Sequence, residues 1–408
     1  MSEPLRPRDA KQVEEAISWA LGQGKALELI GRGSKRAIGR AAQWDATLDL
    51  SGLSGVTLYE PEELVLSAKA GTPLSQIEAL VADKRQELAF EPMDYGALLG
   101  GEIGAATIGG VIAANLSGPR RIKSGAARDH FLGFSAVSGR GETFKSGGRV
   151  VKNVTGYDLC KLIAGSWGTL AAMTDVTIKT LPKAETEQSI LVLGIDAAIA
   201  RKAMAAAMGS FGDASAAAHL PAAVAAEVAE ISSAGTAVTA LRLEGVAPSV
   251  TQRKAVLEEL LASFGALASL DEAPSRALWR AIRDVTAFAA KGPRGGADIW
   301  RISTAPTHGA EVGRTLADKA GAEMLYDWAG GLVWAALPRS DDAQAALVHA
   351  TVAAVGGHAT LIRAPAAVRA KVDVFTPEPP ALAALTQRVR KGFDPHGVLN
   401  AGRMWAGV

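Results

Sequence analysis

One cysteine in 408 residues removes more chemistry than any other feature of the composition. Cys160 has no partner for a disulfide within the chain, and an iron–sulfur cluster held by this chain alone would need several thiolates. A reducing, intracellular compartment fits such cysteine usage. The histidines are His130, His219, His308, His349, His358 and His396, and none forms a metal-ligand pair at i, i+3 or i, i+4. No metal site is expected. Lys and Arg number 43 against 42 Asp and Glu, so a net charge of +1 leaves no electrostatic footprint for nucleic acid or acidic lipid. Long apolar runs are also missing. The opening MSEPLRPRDAKQVEE lacks the apolar core of a secretory signal. The longest uncharged stretch, 103–119, is rich in Gly, Ala and Ser, ends in arginines and is short for a membrane span. It reads as a buried glycine-rich segment, which leaves a cytoplasmic chain able to dock at the inner face of a membrane only through partners.

What is present is ordinary in amount and unusual in arrangement. Apolar residues make up 48% and charged residues 21%, the balance of a globular protein, and the length calls for two domains. The organising stretch is 106–138, ATIGGVIAANLSGPRRIKSGAARDHFLGFSAVS. Its diglycine, Gly109-Gly110, stands at a helical turn; a bend with Arg120 and Arg121 follows, then an apolar run. Glycine lets backbone amides approach a flat or anionic ligand, and a helix N-terminus adds partial positive charge. Upstream, a helix from Asp9 to Gly22 and a strand over 26–30 lead into Gly31-Arg32-Gly33-Ser34-Lys35-Arg36. A strand, a tight glycine turn, a hydroxyl and basic side chains together suit a phosphate cradle. The spacing fits neither a Walker A loop nor GxGxxG.

Further along, Thr72 and Pro73 are placed as N-cap and first residue of a helix over 74–82. Residues 153–159 open another helix, and Gly165-Ser166-Trp167-Gly168 turns into a strand ending near Leu181. Pro182 and the charged segment 183–188 read as a linker. Beyond it the order strand, helix, strand, strand, helix, strand occurs twice, over 189–270 and 298–362, which is a ferredoxin-like unit repeated. Between the two copies KGPRGGA, 291–297, reads as a flexible basic loop. The expected division is 1–182, 183–392 and a returning tail, 393–408, in an α+β chain.

Four blocks in order carry a resemblance: GRGSK at 31–35, ATIGGVIAAN at 106–115 with its SGPRR tail, GAARDHFLGFSAVSGRGE at 125–142, and GYDLCKLIAGSWGTLAAMTDVTIK at 156–179. With the closing FDPHGVLNAGRM, they resemble the FAD-binding family of vanillyl-alcohol oxidase and p-cresol methylhydroxylase (PCMH), and within it the FAD-binding subunits of bacterial glycolate oxidase. The resemblance implies a two-part PCMH-type FAD-binding domain followed by a ferredoxin-like cap. It also implies roles for particular residues. Gly31, Arg32, Gly33, Ser34 and Lys35, with Ile108, Gly109 and Gly110, would hold the FAD pyrophosphate. Pro92, Asn115, Ser117 and Gly118 would line the ribityl and ring region. Gly165, Gly168 and Val176 would pack on the adenosine side, and Asn400 would approach the flavin from the second domain.

Departures from the family pattern limit the chemistry. The first glycine loop has no histidine, so FAD is expected without a covalent link there. The cap motif H-x-G-D-G-N-x-H, which supplies metal ligands and a base, is missing, and Trp167 replaces the usual glutamate of its block. No catalytic residue is assigned. Arg120 and Arg121 fit either a substrate carboxylate or a pyrophosphate or interdomain contact. His130 fits a flavin-orienting or a structural role, Lys152 and Tyr157 a catalytic role or a plain helix start, and Cys160 a core position. The implied activity is oxidation of glycolate or a similar 2-hydroxy acid to the 2-oxo acid. Electrons would leave through a second FAD-containing subunit and an iron–sulfur subunit of the same complex. A stand-alone FAD-dependent alcohol or hydroxy-acid oxidoreductase and a non-catalytic, flavin-stabilised assembly subunit are the alternatives.

Overall fold

Two antiparallel sheets organise the computed structural model, which describes residues 3–149 and 156–406. The first has five strands among the described residues, in the order Val56–Glu60, Val65–Lys69, Ala171–Lys179, Phe131–Ser138 and Thr143–Gly147. Beside it lies a smaller part: the helix Ala10–Gly22, capped by Asp9, and the parallel strands Leu27–Ile30 and Ala46–Asp49. The chain's end completes this smaller part. Leu27 N–H donates to Val398 O at 2.7 Å, and Asn400 N–H donates to Leu27 O at 2.9 Å. Val13, Ile17, Leu27, Leu48, Val398 and Leu399 form one buried cluster, so the tail is core material there.

The second sheet has eight strands among the described residues and is two ferredoxin-like halves joined edge to edge. The first half runs Ala266–Leu270, Thr186–Leu193, Val238–Gly245, Ala216–Leu220 across the sheet. The second runs Glu323–Asp327, Leu332–Leu337, Asp298–Ser303, His358–Arg363. The halves meet where His219 stands opposite Tyr326. The period-2 pattern of the strands gives each face its own core. Trp300, Ile302, Val333, Ala335 and Leu361 pack with Val312, Leu316, Val348 and Val352 of the outer helices. Their neighbours Ile299, Trp334, Ala336 and Ile362 join Phe90, Tyr95 and Leu98 of the N-terminal region in a single core. The cap therefore presses one face on the first sheet's side.

Several elements differ from the sequence reading. Pro73 is the N-cap of the helix Leu74–Ala82, while the Thr72 hydroxyl donates to Lys69 O at 2.6 Å; pairing with the local turn outcompetes capping. The supposed linker is short, because Thr186 to Gln188 already pair with Gly245 to Leu243. A helix not anticipated, Glu272–Arg283, joins the halves and buries Trp279, whose Nε1 donates to Ser189 Oγ at 2.8 Å. The basic loop is tied down: the Arg363 guanidinium donates to Phe288 O, Ala297 O and Arg294 O, and Arg294 pairs with Glu323. Lys152 and the helix opening at 153–155 lie outside the described residues; the helix Leu159–Ile163 starts under an Asp158 cap.

Candidate cofactor site

Where the smaller part, the first sheet and the tail meet, a cleft of about 690 Å3 opens. The strand Leu27–Ile30 delivers the 31–36 loop to one wall, and the helix Ile108–Ala114 stands opposite. Trp167 and Gly168 close a third side, with Asn400 and Arg403 on the fourth. Glycine is required here by space. A Cβ on Gly31 would stand 2.5 Å from Thr107 Oγ1, and one on Gly109 would stand 2.8 Å from both Ala70 Cβ and Ala70 O. A Cβ on Gly168, at φ +72°, would meet Asn400 Nδ2 at 2.9 Å. At these three points the glycine backbone lies directly against Thr107, Ala70 and Asn400, with no room for a side chain.

The donors of the cleft are distributed differently from the sequence expectation. The first helix amides are already taken: Ile108 N–H goes to Thr72 O, Gly109 N–H to Ala70 O at 2.8 Å, and Gly110 N–H to the Thr107 cap at 3.3 Å. In the 31–36 loop, by contrast, the N–H groups of Arg32, Gly33, Ser34 and Lys35 meet no protein acceptor among the described residues. Lys35 lies against this row, with its Nζ 3.1 Å from Ser34 Oγ. Burial pushes its ammonium down to about 8, Asp94 opposes that shift and Arg403 adds to it. Arg403, 5% exposed, donates to Lys35 O at 2.8 Å, leaves its Nε buried without an acceptor, and sits 5.7 Å from the Trp167 ring centroid. Burial brings its guanidinium down to about 10. Open amides, a desolvated ammonium and an orphaned guanidinium nitrogen in a glycine-walled cleft fit the two negative charges of a pyrophosphate.

Of the residues singled out in the sequence, Gly31, Arg32, Gly33, Ser34, Lys35, Gly109, Gly110, Gly168 and Asn400 line this cleft. Arg32 points partly away, 3.5 Å from Glu102. Ile108 is buried behind it. Asn400 arrives on the tail rather than from the cap sheet, and its side chain is engaged with backbone: Oδ1 accepts from Leu29 N–H and Nδ2 donates to Trp167 O, both at 2.8 Å. Asn115, at φ +50°, accepts from Arg128 N–H, and Ser117 Oγ accepts from Ala127 N–H; both shape the loop after the helix. Gly165 donates to Ile112 O beneath the helix. Val176 is wholly buried in the first sheet between Ala68 and Phe134. Pro92 and Gly118 lie at the face toward the cap, where a Cβ on Gly118 would meet Glu91 O at 2.8 Å.

Sequence reasoning passed over Arg403, although the closing motif contains it, and the charged interface beside Pro92. Glu91, at φ +48°, accepts from Arg242 Nη1 at 2.7 Å, Arg242 Nη2 at 2.9 Å and Arg120 N–H at 2.7 Å. Arg120 also pairs with Glu87 and, at 3.0 Å, with Glu244. Burial disfavours the Glu91 carboxylate, but Arg242 and Arg120 outweigh it and hold the carboxyl down to about 2. Arg120 is thus an interdomain contact. Arg121 is not part of that network: its guanidinium carbon lies 4.2 Å from the Trp328 ring centroid. His130 is structural, with its ring Nε2 2.8 Å from Ser124 O, and burial pushes the Cys160 thiol up to about 12. Among the described residues no cluster of His, Cys, Asp and Glu is arranged for a metal ion, and no helix is long and apolar enough to cross a membrane.

This combination of glycine-walled cleft, first sheet and ferredoxin-like cap is that of an FAD-dependent oxidoreductase. Residues 4–147 match the FAD binding domain family. The solved structure of p-cresol methylhydroxylase with substrate bound superposes at a TM-score of 0.71, covering 98% of this chain and 88% of that one at 12% identity, and so shares the two-part fold. Along 98% of its length the chain is 31% identical to glycolate oxidase subunit GlcE of Escherichia coli (strain K12), covering 99% of that protein, and it belongs to the same family of FAD-binding subunits. Glycolate oxidase subunit GlcD of Bacillus subtilis (strain 168) is 44% identical over 94 residues, which cover 22% of this chain and 20% of that one.

Proposed function

We propose that this chain is the non-covalent FAD-binding subunit of a complex that oxidises glycolate, or a similar 2-hydroxy acid, to the 2-oxo acid. The end-to-end likeness to the E. coli glycolate oxidase subunit carries that reading. Gly31 to Lys35 would receive the pyrophosphate on the open amides of Arg32 to Lys35, with Lys35 and Arg403 neutralising it. Ile108, Gly109 and Gly110 would contribute the helix dipole and a wall without side chains rather than free amides. Gly168 and Trp167 would cover the opposite side, while Pro92, Asn115, Ser117 and Gly118 shape the path toward the cap. Bound FAD would supply a two-electron acceptor for the α-hydrogen of the acid.

The partners follow from what one chain lacks. Electrons must leave the site, and a lone cysteine cannot hold the cluster that would carry them, so a second FAD subunit and an iron–sulfur subunit complete the assembly. We place the complex in the cytoplasm, with membrane docking through those partners. Steady-state glycolate oxidation with a dye acceptor, comparing the isolated chain with the co-expressed complex, tests this. Rapid turnover by the complex and slow turnover by the chain are expected. Equal rapid turnover by the isolated chain would favour a stand-alone oxidoreductase.

A further inference from the structure

The helix Pro380–Phe393 is amphipathic, yet the chain leaves its apolar stripe open. Leu382, Leu385 and Val389 recur at i, i+3 and i+7 on one face. Leu382 and Leu385 are nonetheless 48% and 47% exposed, and the buried side chain of this helix is a cation, Arg390. A helix of this length is marginal alone and draws its stability from covering such a stripe. Across from it stand Leu162 and the turn 164–170, and the space between is a groove of about 890 Å3 with mostly apolar walls. The groove adjoins the cofactor cleft: Gly165 and Ser166 line the one, Trp167 and Gly168 the other. Two donors in it are unmet. The Arg390 guanidinium lines the groove and makes no hydrogen bond or ion pair among the described residues. Asp394 acts on it, but that carboxylate accepts the Val398 and Leu399 N–H groups at 2.9 and 2.8 Å, and burial outweighs its pull. Trp405, from the tail, lines the same groove with its Nε1 buried and without an acceptor. The helix itself carries Arg388, Arg390 and Lys391 and no acid, so whatever fills the groove must be both apolar and negatively charged.

We propose that this groove is the docking site for an acidic amphipathic helix of a partner subunit, whose apolar residues cover Leu382 and Leu385 and whose carboxylate meets Arg390 and the Trp405 N–H. The inference rests on the multi-subunit reading above and gives that assembly a surface on this chain. A helix laid in a groove brings apolar anchors at i, i+3 and i+7, the same spacing that the open stripe presents. A guanidinium fork takes a carboxylate bidentately, and the indole N–H supplies a further donor. A flat lipid surface would cover the leucines but leave Arg390, 8% exposed, out of reach. In the free chain the unpaired buried cation is a cost, which the partner's carboxylate removes on docking.

The test is co-expression of the FAD-loaded chain with the second FAD subunit and the iron–sulfur subunit, with dissociation of the complex on dilution followed by mass photometry. Leu385→Asp and Arg390→Gln should each weaken assembly about tenfold or more, with the flavin content of the chain kept. Arg390→Lys, which keeps the charge but loses the fork, should recover only part of it. The melting temperature of the isolated chain separates docking from folding. Arg390→Gln removes an unpaired buried charge, so that temperature should hold or rise while assembly weakens. A falling melting temperature alongside weaker assembly would make Arg390 a structural residue and overturn the inference. Undiminished assembly in both variants would overturn it as well. So would self-association of the isolated chain, or its binding to phosphatidylglycerol vesicles, if either is lost in Leu385→Asp, because the groove would then have another occupant. A complex that assembles through the groove but does not oxidise glycolate would keep this surface and sink the activity. A glycolate-oxidising complex whose assembly ignores both variants would do the reverse.

Discussion

Asn400 and Leu29, 371 positions apart, are bonded through the asparagine side chain, whose Oδ1 accepts the Leu29 N–H at 2.8 Å while Nδ2 reaches Trp167 O. One side chain thus fixes the strand that delivers the 31–36 loop, the Trp167-Gly168 turn and the returning tail. Asn400→Ala leaves a buried donor and a buried acceptor unmet, which should cost about 2–4 kcal/mol in urea unfolding. Deleting residues 393–408 should weaken FAD binding, although the strands of the first sheet all lie outside the deletion. Unchanged flavin affinity in the truncation would reduce the tail to a packing strap.

Gly33 offers the most direct test of the phosphate cradle. It has φ +75° and open space where a Cβ would stand, and aspartate tolerates that conformation better than most residues. Gly33→Asp should therefore fold, yet it sets a negative charge beside the open amides of the loop. The purified variant should be colourless, with a far-ultraviolet spectrum like the parent. Acid precipitation of the parent should release all its flavin, as expected when no histidine stands in the loop; a yellow pellet would contradict the non-covalent reading.

The cleft was legible in the sequence because its parts are local. A glycine turn after a strand, or a diglycine at a helix start, states its backbone geometry within a few residues. The cap repeat was legible for a similar reason, since element order survives where sequence does not. What escaped depends on register. Arg301 meets Trp334 and Thr360 only because three strands pair as they do, and Glu91 meets Arg242 across 151 positions. Even the helix at Ile108 misled in one respect: its amides looked free, but Thr72 and Ala70, from a strand's end, already occupy them.

Glu91 should govern acid stability. Its carboxyl ionises at about 2 in the folded chain, far below an unfolded glutamate, so the unfolded state binds the extra proton as pH falls. The stabilisation is complete above pH 4.5 and should be lost progressively toward pH 2. Glu91→Gln leaves Arg242 and Arg120 short of an anion and should cost about 3–5 kcal/mol near neutrality. Denaturant midpoints measured from pH 7 to pH 3 should converge for parent and variant. Parallel curves would show that the cluster contributes nothing specific through Glu91.

Lys35 sets the pH dependence of cofactor binding. Before FAD binds, burial holds its ammonium at about 8, so near neutrality it is mostly protonated and above about 8 it is mostly neutral. A pyrophosphate beside it favours the charged form and raises its pKa. Binding above about 8 must then take up a proton, and affinity should fall as pH rises, by up to about tenfold per unit until the raised pKa is reached. Below about 7 the lysine is already charged and the affinity should be flat with respect to this group. Lys35→Met removes the ammonium, so FAD should bind more weakly at pH 7 and the alkaline fall should vanish. Flavin fluorescence titrations of both proteins from pH 6 to pH 9.5 decide the matter. An equal alkaline fall in Lys35→Met would move the effect to another group and leave Lys35 outside the phosphate site.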